Sequence, residues 1–462
     1  MKNSFYKDLK EILNQNIIYT ILLFSSMASF IWLCITEIPT QYKMITWSPL
    51  VYMLGLILFI RPNKLMGIAS LSVCVLYFVK LCVDPITSVL GQFFSIVNRS
   101  IVLTNWNHAC VLLAFEWIIV AFTIWIRSPS YAKKLAITDQ EVKAKNHPQI
   151  KFWGVFMCGI AVVIYLLFPI VRNLLCFIWQ EDKSAVAANS GPFLYLFKIF
   201  FEIGKPLLVF WLYWKIDLIQ SSFKRKLGQI LLIAATFTVV SDYRILSLLE
   251  ATAMLLIFLQ NNVEKKSEKN IIKVAFLVVA LYCVFLLTTH NDERNKSLVN
   301  LCRLMDIYTG GFMTATAGLN VKFSNGIQMF FHDIYNGSYI LVGLFGKLYS
   351  TTDAINSAIN ASAKGIFFES IIQARALFGP CYPLALAFVT EFVIRMDFQC
   401  VKTSDTLYKV VYIMCGFTTA VFMVMYTYTM IVNFIIYKAL IWLLVLWLDK
   451  HIRVTWHGRR FI

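Results

Sequence analysis

Charged side chains are scarce in this chain. Asp, Glu, Lys and Arg together make up 15% of its 462 residues, whereas hydrophobic residues make up 59% and the mean hydropathy is +0.69. A typical soluble domain carries about 25% charged and about 45–50% apolar residues. Because a soluble protein of this size still needs polar residues over its surface, the composition excludes that class and predicts a protein that crosses a membrane many times.

Signatures of several enzyme and transporter classes are also absent. No G-x-x-x-x-G-K-[ST] motif occurs, which excludes an ATP-driven pump built from this chain alone. The D-x-D pair that often holds a metal and a sugar nucleotide is missing, as are the H-E-x-x-H and G-x-S-x-G signatures of zinc and serine hydrolases. We therefore predict no cofactor and no metal, and an enzyme with this sequence would use an activated donor carried by a lipid.

The eleven cysteines include no C-x-x-C pair, so neither a zinc site nor a disulfide framework is indicated. Most of them fall inside apolar runs, where a thiol packs as a small apolar group. We interpret the following as buried structural thiols: Cys34, Cys74, Cys82, Cys110, Cys158, Cys283 and Cys415.

Apolar runs long enough to cross a bilayer recur along the chain. About 20 apolar residues span the hydrocarbon core, and the pattern predicts an all-α fold of about twelve spans, two of them short. The candidates are residues 17–36, 47–60, 65–83, 109–126, 152–171, 193–214, 229–241, 245–260, 272–288, 378–394, 410–428 and 431–448. The segments 229–241 and 245–260 could instead form one re-entrant hairpin, which would leave the remaining topology unchanged.

The distribution of basic residues orients these spans. If the N-terminus is cytoplasmic, 26 Lys and Arg residues lie in inner segments, and the short outer loops hold only Lys43, Arg99 and Lys183. Such a bias is the positive-inside rule, so both termini are predicted to be cytoplasmic. The net charge of +17 is therefore a topology signal, and no nucleic-acid partner is expected.

One connection is long. Residues 290–376 are placed outside the membrane and divide the chain into spans one to nine (1–289), this outer loop, and spans ten to twelve with a cytoplasmic tail (377–462). Apolar residues at helical spacing predict amphipathic helices over 298–308 and 327–334, and Thr352 or Asp353 can cap a third that reaches Ala363. We expect their apolar faces to lie on the bilayer interface or to roof a cavity.

Ionisable side chains within the predicted spans need a physical reason, because each is costly at membrane depth. Lys198, Glu202 and Lys205 fall on one face of their helix. They form either a mutually neutralised triad that holds two helices together or the charged wall of a water-filled cavity for a polar or anionic substrate. Lys80 is expected to snorkel to the interface. Four other charges in spans receive no role: Glu116, Glu250, Glu391 and Lys438.

The turn at residues 241–244 (SDYR) is the strongest single site candidate. Between two short spans, Arg244 would lie in the outer half of the membrane, where a guanidinium can hold a phosphate through two parallel bonds. The alternative is an ordinary outer turn in which Asp242 pairs with Arg244. Arg172, just after Pro169, either points at the same cavity or snorkels.

The outer loop supplies further candidates. Its cations that could bind a phosphate are Arg294, Arg303 and Arg375, and its candidate proton acceptors are His332, Asp333, Asp306 and Glu369. A histidine or carboxylate beside a reacting hydroxyl can act as a general base. Taken singly, each of these residues could instead be a solvated surface residue.

Two stretches carry a likeness to a known family: residues 303–311 (RLMDIYTGG) and residues 378–380 (FGP), where the chain re-enters the membrane. Together with twelve spans, cytoplasmic ends and one long outer loop late in the chain, they resemble the bacterial oligosaccharide repeat-unit polymerases (Wzy type) of O-antigen and capsule synthesis. The R-x10-G pattern of some members' loops is absent, so catalytic residues cannot be carried over from it.

The resemblance implies a glycosyl transfer on the outer face of a bacterial cytoplasmic membrane. A glycan on undecaprenyl diphosphate would pass to the terminal sugar hydroxyl of the next lipid-linked repeat unit, and undecaprenyl diphosphate would leave. Arginines can stabilise the departing diphosphate without a metal, and the candidates are Arg244, Arg172, Arg303 and, more weakly, Arg375. The base is expected among His332, Asp333 and Glu369, and the cavity lining includes Lys198, Glu202 and Lys205.

The implied partners are the lipid-linked oligosaccharide, membrane lipids and a separate protein that controls chain length. Three other functions stay open at this point. An O-antigen ligase would share the layout and the donor but deliver the glycan to a lipid A core. A flippase for lipid-linked oligosaccharides also has about twelve spans, although the long outer loop argues against it, and an ion-coupled transporter would use Lys198, Glu202 and Glu116 for coupling.

Overall fold

A computed structural model gives the fold. It describes residues 15–60, 67–93, 99–138, 152–177, 192–240, 250–255, 306, 309, 311–319, 321, 323–358, 369–403, 406–452, 455–456 and 459–460. Over these residues the protein is nearly all helical. The predicted span 272–288, the predicted loop helix at 298–308 apart from Asp306, and the thiols Cys283 and Cys302 lie outside the described residues.

Within the described residues, six helices are long and apolar enough to cross a membrane. They cover Asn16–Ile35, Ile68–Leu90, Val102–Pro129, Ser370–Lys402, Tyr408–Met425 and Tyr428–His451. Each overlaps one predicted span, and the chain is accordingly an all-α membrane protein. Large apolar side chains face outward from these helices, among them Phe24 and Leu384, as expected where a helix contacts hydrocarbon rather than water.

The first half of the chain contains nine helices within its described residues. The helices are α1 (Gln15–Ile35), α2 (Ser48–Leu58), α3 (Ile68–Phe78), α4 (Asp84–Leu90), α5 (Arg99–Thr138), α6 (Phe152–Leu167), α7 (Pro169–Leu174), α8 (Pro192–Asp217) and α9 (Ser222–Thr236). A 3₁₀ helix, Thr40–Trp47, joins α1 to α2, and Pro169 separates α6 from α7. Residues 250–255 are also helical.

The second half begins with short helices and ends with long ones. The helices are α10 (Phe312–Gly318), α11 (Gly326–Gly337), α12 (Tyr339–Phe345), α13 (Thr351–Ala358), α14 (Ser370–Phe378), α15 (Tyr382–Lys402), α16 (Thr406–Met425), α17 (Tyr428–Phe434) and α18 (Leu440–His451). A 3₁₀ turn, Gly379–Cys381, links α14 to α15. The predicted helix at 327–334 is confirmed as α11, and α13 begins at Thr351, next to the predicted cap.

In the part of the chain that the structure describes, two strand pairs interrupt the helical fold. Strands β1 (Leu175–Phe177) and β2 (Thr238–Val240) pair antiparallel with Leu175 opposite Val240. Strands β3 (Thr455–Trp456) and β4 (Arg459–Arg460) form a second pair near the C-terminus. The predicted helical span 229–241 therefore ends as a helix at Thr236, and its last residues form β2 instead.

Among the described helices, two contain a π-helical turn, at Val79–Val83 between α3 and α4 and at Ile435–Ala439 between α17 and α18. Each contains one lysine, Lys80 or Lys438, and each lysine makes an ion pair with a glutamate from another part of the chain. A π-turn adds a residue to the helix and is often found at functional positions. Each π-turn therefore positions a lysine that pairs with a glutamate of another segment.

The core is built from close approaches between helices. Trp117 of α5 is fully buried, and its indole Nε1 donates to the Tyr52 carbonyl oxygen of α2 at 3.2 Å. A side chain at Gly55 would collide with the same indole ring, so glycine is required at that crossing. Of the predicted buried thiols, Cys34 is exposed, which corrects that interpretation, whereas Cys74, Cys82, Cys110, Cys158 and Cys415 are buried.

Asp397, near the end of α15, fastens α15 to the start of α3. Its carboxylate accepts from Ala69 N at 3.1 Å, from Ser70 N at 2.8 Å and from Ser70 Oγ at 2.6 Å. These bonds satisfy backbone donors that the first turn of a helix leaves open. They also join two segments that are far apart along the chain.

Replacing Asp397 by alanine is expected to destabilise the protein by about 1–3 kcal/mol, because buried backbone donors of α3 lose their acceptor. Thermal unfolding of the detergent-solubilised chain measures the effect. Ser72→Ala is the matched control, since the Ser72 hydroxyl donates only to Ile68 O within its own helix, at 2.7 Å. Equal midpoints for the two variants would contradict the assigned role of Asp397.

Candidate functional site

A cavity of about 440 Å³ opens where the short helices of residues 312–358 meet the long helices. It is lined by Gly318, Leu319, Val321, Phe323, Ile372, Arg375, Ala376, Leu377, Gly379, Pro380 and Tyr382. One wall follows α10, and the other is formed by α14 and the turn into α15. The lining mixes apolar side chains with a single charged one, Arg375.

Arg375 occupies the last turn of α14, and its side chain is exposed. A cation at the C-terminal end of a helix is favoured by the helix dipole. Gly379 follows at a φ of 54°, a conformation that only glycine adopts without strain, and it turns the chain sharply into Pro380 and α15. The cavity therefore presents one guanidinium beside a tight, glycine-dependent turn.

A buried ion pair lies at the opposite end of α14. Lys80 Nζ donates to Glu116 Oε2 at 3.0 Å, and the two side chains are 1% and 0% exposed. The other carboxylate oxygen of Glu116 accepts from Ser370 Oγ at 2.8 Å. Lys80 is therefore paired in the core, and the expectation that it snorkels is wrong.

Three more carboxyl groups surround this pair. Asp84 accepts from Phe312 N at 3.3 Å, and Asp306 accepts from Met313 N at 2.9 Å and Thr314 N at 3.1 Å. Burial raises the pKa of Asp306 to about 6, and its bonds to Met313 and Thr314 limit that rise. Both carboxylates lie against Gly311, where a side chain would collide with them.

Glu369 is the third of these groups and was a predicted base. It directly precedes α14, its side chain is 0% exposed, and neither carboxylate oxygen has a hydrogen-bond partner among the described residues. Burial raises the pKa of Glu369 well above its usual value, and the charges of Lys80, Asp306 and Glu116 also act on it. Glu369 therefore belongs to the buried cluster and does not line the cavity.

A second, partly buried charge cluster joins α8 to the π-turn after α17. Lys438 Nζ lies 2.7 Å from Glu202 Oε2 and 3.1 Å from Glu250 Oε1. Lys205 is buried and donates to the carbonyl oxygens of Thr236 at 3.4 Å and Thr238 at 2.8 Å. Of the predicted triad, Glu202 is thus neutralised from another helix, and the side chain of Lys198 lies outside the described residues.

Asp333, another predicted base, holds the short helices in place. It is buried and accepts from Thr351 N at 2.9 Å and from the Thr351 hydroxyl, and Gln373 Nε2 of α14 donates to Thr351 Oγ1 at 2.5 Å. Burial raises the pKa of Asp333, and the bonds from Thr351 oppose the rise. This network ties α11 and α13 to α14.

His332 is the most accessible of the three predicted bases. It is half-buried on α11, and its Nδ1 lies 3.1 Å from the Tyr349 carbonyl oxygen. If Nδ1 carries the proton and donates to Tyr349, the other ring nitrogen is left as a proton acceptor. Gly326 at the start of α11 approaches Leu377 of α14, so His332 lies on a helix that borders the cavity.

Two of the four predicted diphosphate ligands, Arg172 and Arg375, lie within the described residues. Arg375 lines the cavity, and Arg172 is exposed at the end of α7. Arg244 and Arg303 lie outside the described residues.

The pairing of Lys80 with Glu116 and of Lys438 with Glu250 was not predicted from the sequence. The available signal was that these charges lie within apolar spans, where each requires a partner of opposite sign.

No family model, no curated protein and no solved structure matches this chain. Its function is therefore inferred from its own residues and their geometry.

The Lys80→Met variant tests whether the buried pair is a structural requirement. It leaves Glu116 as a buried carboxylate without its cation, a change that typically costs about 3–5 kcal/mol. We expect a large loss of thermal stability and partial recovery in the Lys80→Met, Glu116→Gln double variant. Lys347→Met is the control: Lys347 pairs with Asp353 at 3.0 Å on the surface, where solvent screens the pair. A Lys80 variant as stable as the Lys347 variant would contradict the assignment.

Proposed function

We propose that the chain is a polymerase of lipid-linked oligosaccharide repeat units in a bacterial cytoplasmic membrane. It transfers the growing glycan from undecaprenyl diphosphate to the next lipid-linked repeat unit. In this proposal the chain crosses the membrane about twelve times with both termini in the cytoplasm, and residues 290–376 lie on the outer face. The cavity with Arg375 then opens on the outer side, where the lipid-linked substrates are found.

The observation that carries the proposal is this cavity. Its volume of about 440 Å³ falls in the range of small-molecule sites, about 300–1,000 Å³. A departing diphosphate develops negative charge, and a fixed guanidinium at its position stabilises that charge without a metal. We therefore assign Arg375 to the diphosphate as the first candidate.

The strand pair of β1 and β2 supports a shared role for Arg172 and Arg244. Leu175, three residues after Arg172, lies opposite Val240, which precedes Arg244 by four residues. We place these two cations, together with Arg303, at the lipid-linked diphosphates of donor and acceptor.

The acceptor hydroxyl needs a base, and we assign this role to His332 ahead of Asp333 and Glu369. Asp333 is occupied by Thr351, and Glu369 is enclosed in the core, whereas His332 keeps one ring nitrogen for a substrate. Apolar side chains exposed on α11 and α12, including Ile327, Phe331 and Phe345, would cover the polyprenyl tails and exclude water. Exclusion of water protects the donor from hydrolysis.

The alternative of an ion-coupled transporter would use Lys198, Glu202 and Glu116 for coupling. Both carboxylates have lysine partners, at 3.0 Å and 2.7 Å, so neither is available as a single exchangeable charge. This pairing favours the polymerase over that alternative.

Cells that lack this gene, complemented with wild type or Arg375→Ala, test the proposal on a gel of surface polysaccharide. We expect wild type to restore the ladder and Arg375→Ala to leave mainly a single-repeat band, since the diphosphate loses its cation. Arg375→Lys is expected to be intermediate, because a lysine keeps the charge and loses the bidentate geometry. Arg244→Ala should behave like Arg375→Ala.

Arg395→Ala is the matched control, because Arg395 is an exposed arginine on α15 away from the cavity lining. It should restore the full ladder at equal expression. Loss of even the single-repeat band in the deletion strain would instead indicate a flippase or a ligase. An unchanged ladder in that strain would refute a role in polysaccharide synthesis.

A further inference from the structure

The buried cluster at the start of α14 contains more negative than positive groups. Around the single cation Lys80 lie four carboxyl groups, those of Asp84, Glu116, Asp306 and Glu369, which are each 5% exposed or less. Glu116 has Lys80 as its ion-pair partner and Ser370 as a hydrogen-bond donor. The remaining three carboxyl groups share no second cation among the described residues.

These three carboxyl groups differ in how many hydrogen bonds replace the water that each of them loses on burial. Asp306 accepts two backbone N–H bonds and one from the Thr314 hydroxyl, at 2.9 Å. Asp84 accepts from Phe312 N and its side chain also interacts with Thr309, whereas its Oδ1 has no hydrogen-bond partner in the described part of the chain. Glu369 has no partner at either oxygen there. An ionised carboxylate in such a place would lose its hydration without any compensation.

We propose that Glu369 and the adjacent Asp84–Asp306 pair form a proton-binding site in which Glu369 is a neutral carboxylic acid at neutral pH. Two carboxylates held against the same glycine repel each other, and a proton shared between Asp84 and Asp306 removes that repulsion. The proposal does not depend on the glycosyl-transfer chemistry. It concerns groups that the cavity does not contact.

The neighbouring elements support protons as the ligand. The groups whose charges act on Glu369 from the packed helices are Lys80, Asp306 and Glu116, and Tyr77 lies beside Glu116. No group of three or more acidic, histidine or cysteine residues in the described chain has the arrangement to hold a metal ion. The excess negative charge is therefore neutralised most directly by protons.

The site also has a mechanical consequence. Asp84 and Asp306 hold the start of α10, and Glu369 and Ser370 begin α14, so both walls of the cavity start from this cluster. Loss of its protons at high pH would place uncompensated anions around Lys80. The attachment of α10 and α14 would weaken as a result.

Thermal unfolding of the purified full-length chain between about pH 5 and about pH 9 tests the site. A group that keeps its proton in the fold and loses it on unfolding makes the unfolding equilibrium constant grow by about tenfold per pH unit above its unfolded pKa. In Glu369→Gln that contribution is absent, so wild type should lose stability with rising pH more steeply than the variant. The unfolding midpoint of the variant minus that of wild type should therefore increase with pH.

Asp353→Asn is the control. Burial alone would raise the pKa of Asp353, but hydrogen bonds from Ser350 and Lys347 lower it, so this group is ionised in both states above pH 5 and adds no slope there. Infrared spectra of wild type supply a measurement that needs no folded variant: a protonated-carboxyl band should be present at neutral pH and shift in D₂O. In a folded Glu369→Gln protein that band should decrease.

Parallel slopes for wild type and Glu369→Gln, or a neutral-pH spectrum without any protonated-carboxyl band, would overturn the proposal. Melting in sodium chloride against choline chloride separates protons from a metal cation. Stabilisation by sodium that disappears in Glu369→Gln would also overturn it, because the occupant would then be a cation. Failure of the polysaccharide test leaves each of these outcomes unaffected.

Discussion

The Lys80–Glu116 pair and its bond to Ser370 form the interaction on which this end of the protein depends. An ammonium and a carboxylate that are both removed from water must face each other, since neither can find a substitute in an apolar surround. This requirement fixes the register of the helix at residues 68–90 against α5. Ser370 then fixes the start of α14 against both. Three segments that are distant in sequence are thereby held by two polar contacts of 3.0 Å and 2.8 Å.

Polar contacts of the same kind determine the rest of the packing. Asp397 fixes the other end of α3, and Gln373 with Asp333 fixes the short helices against α14. Apolar contacts alone do little to select which helices associate in a membrane, because a lipid tail is as apolar as the side chain that it would replace. The directional bonds of a few buried polar side chains therefore decide which helices meet.

The six long helices were predictable because a membrane span is defined by length and composition, which a sequence displays directly. The amphipathic helix α11 was predictable from the spacing of Ile327, Phe330, Phe331 and Ile334 between two glycines. The ion-pair partner of each buried charged side chain was not predictable from the sequence. Lys80 and Glu116 occur in different spans, and nothing in either segment specifies the other. The strand β2 was missed because its apolar residues continue the composition of the preceding helix.

The burial of the candidate site residues was not visible in the sequence. Arg375 was chosen as a cation of the outer loop and lies in the lining of a cavity, whereas Glu369 and Asp333 are buried. Both of these acids had been chosen for their chemistry, and burial is a property of the tertiary structure that their local sequence does not show. The same burial that separates Glu369 from the cavity leaves its carboxyl group without a hydrogen-bond partner among the described residues.

Helix α14 joins the two halves of this arrangement. Its first residues enter an acidic core, and its last turn presents Arg375 to the cavity, six residues from Glu369 and thus about 9 Å along the axis. The position of Arg375 agrees with the helix dipole, since this arginine lies at the negative end of α14. The acidic cluster around Lys80 and the cavity are therefore joined through a single helix of nine residues.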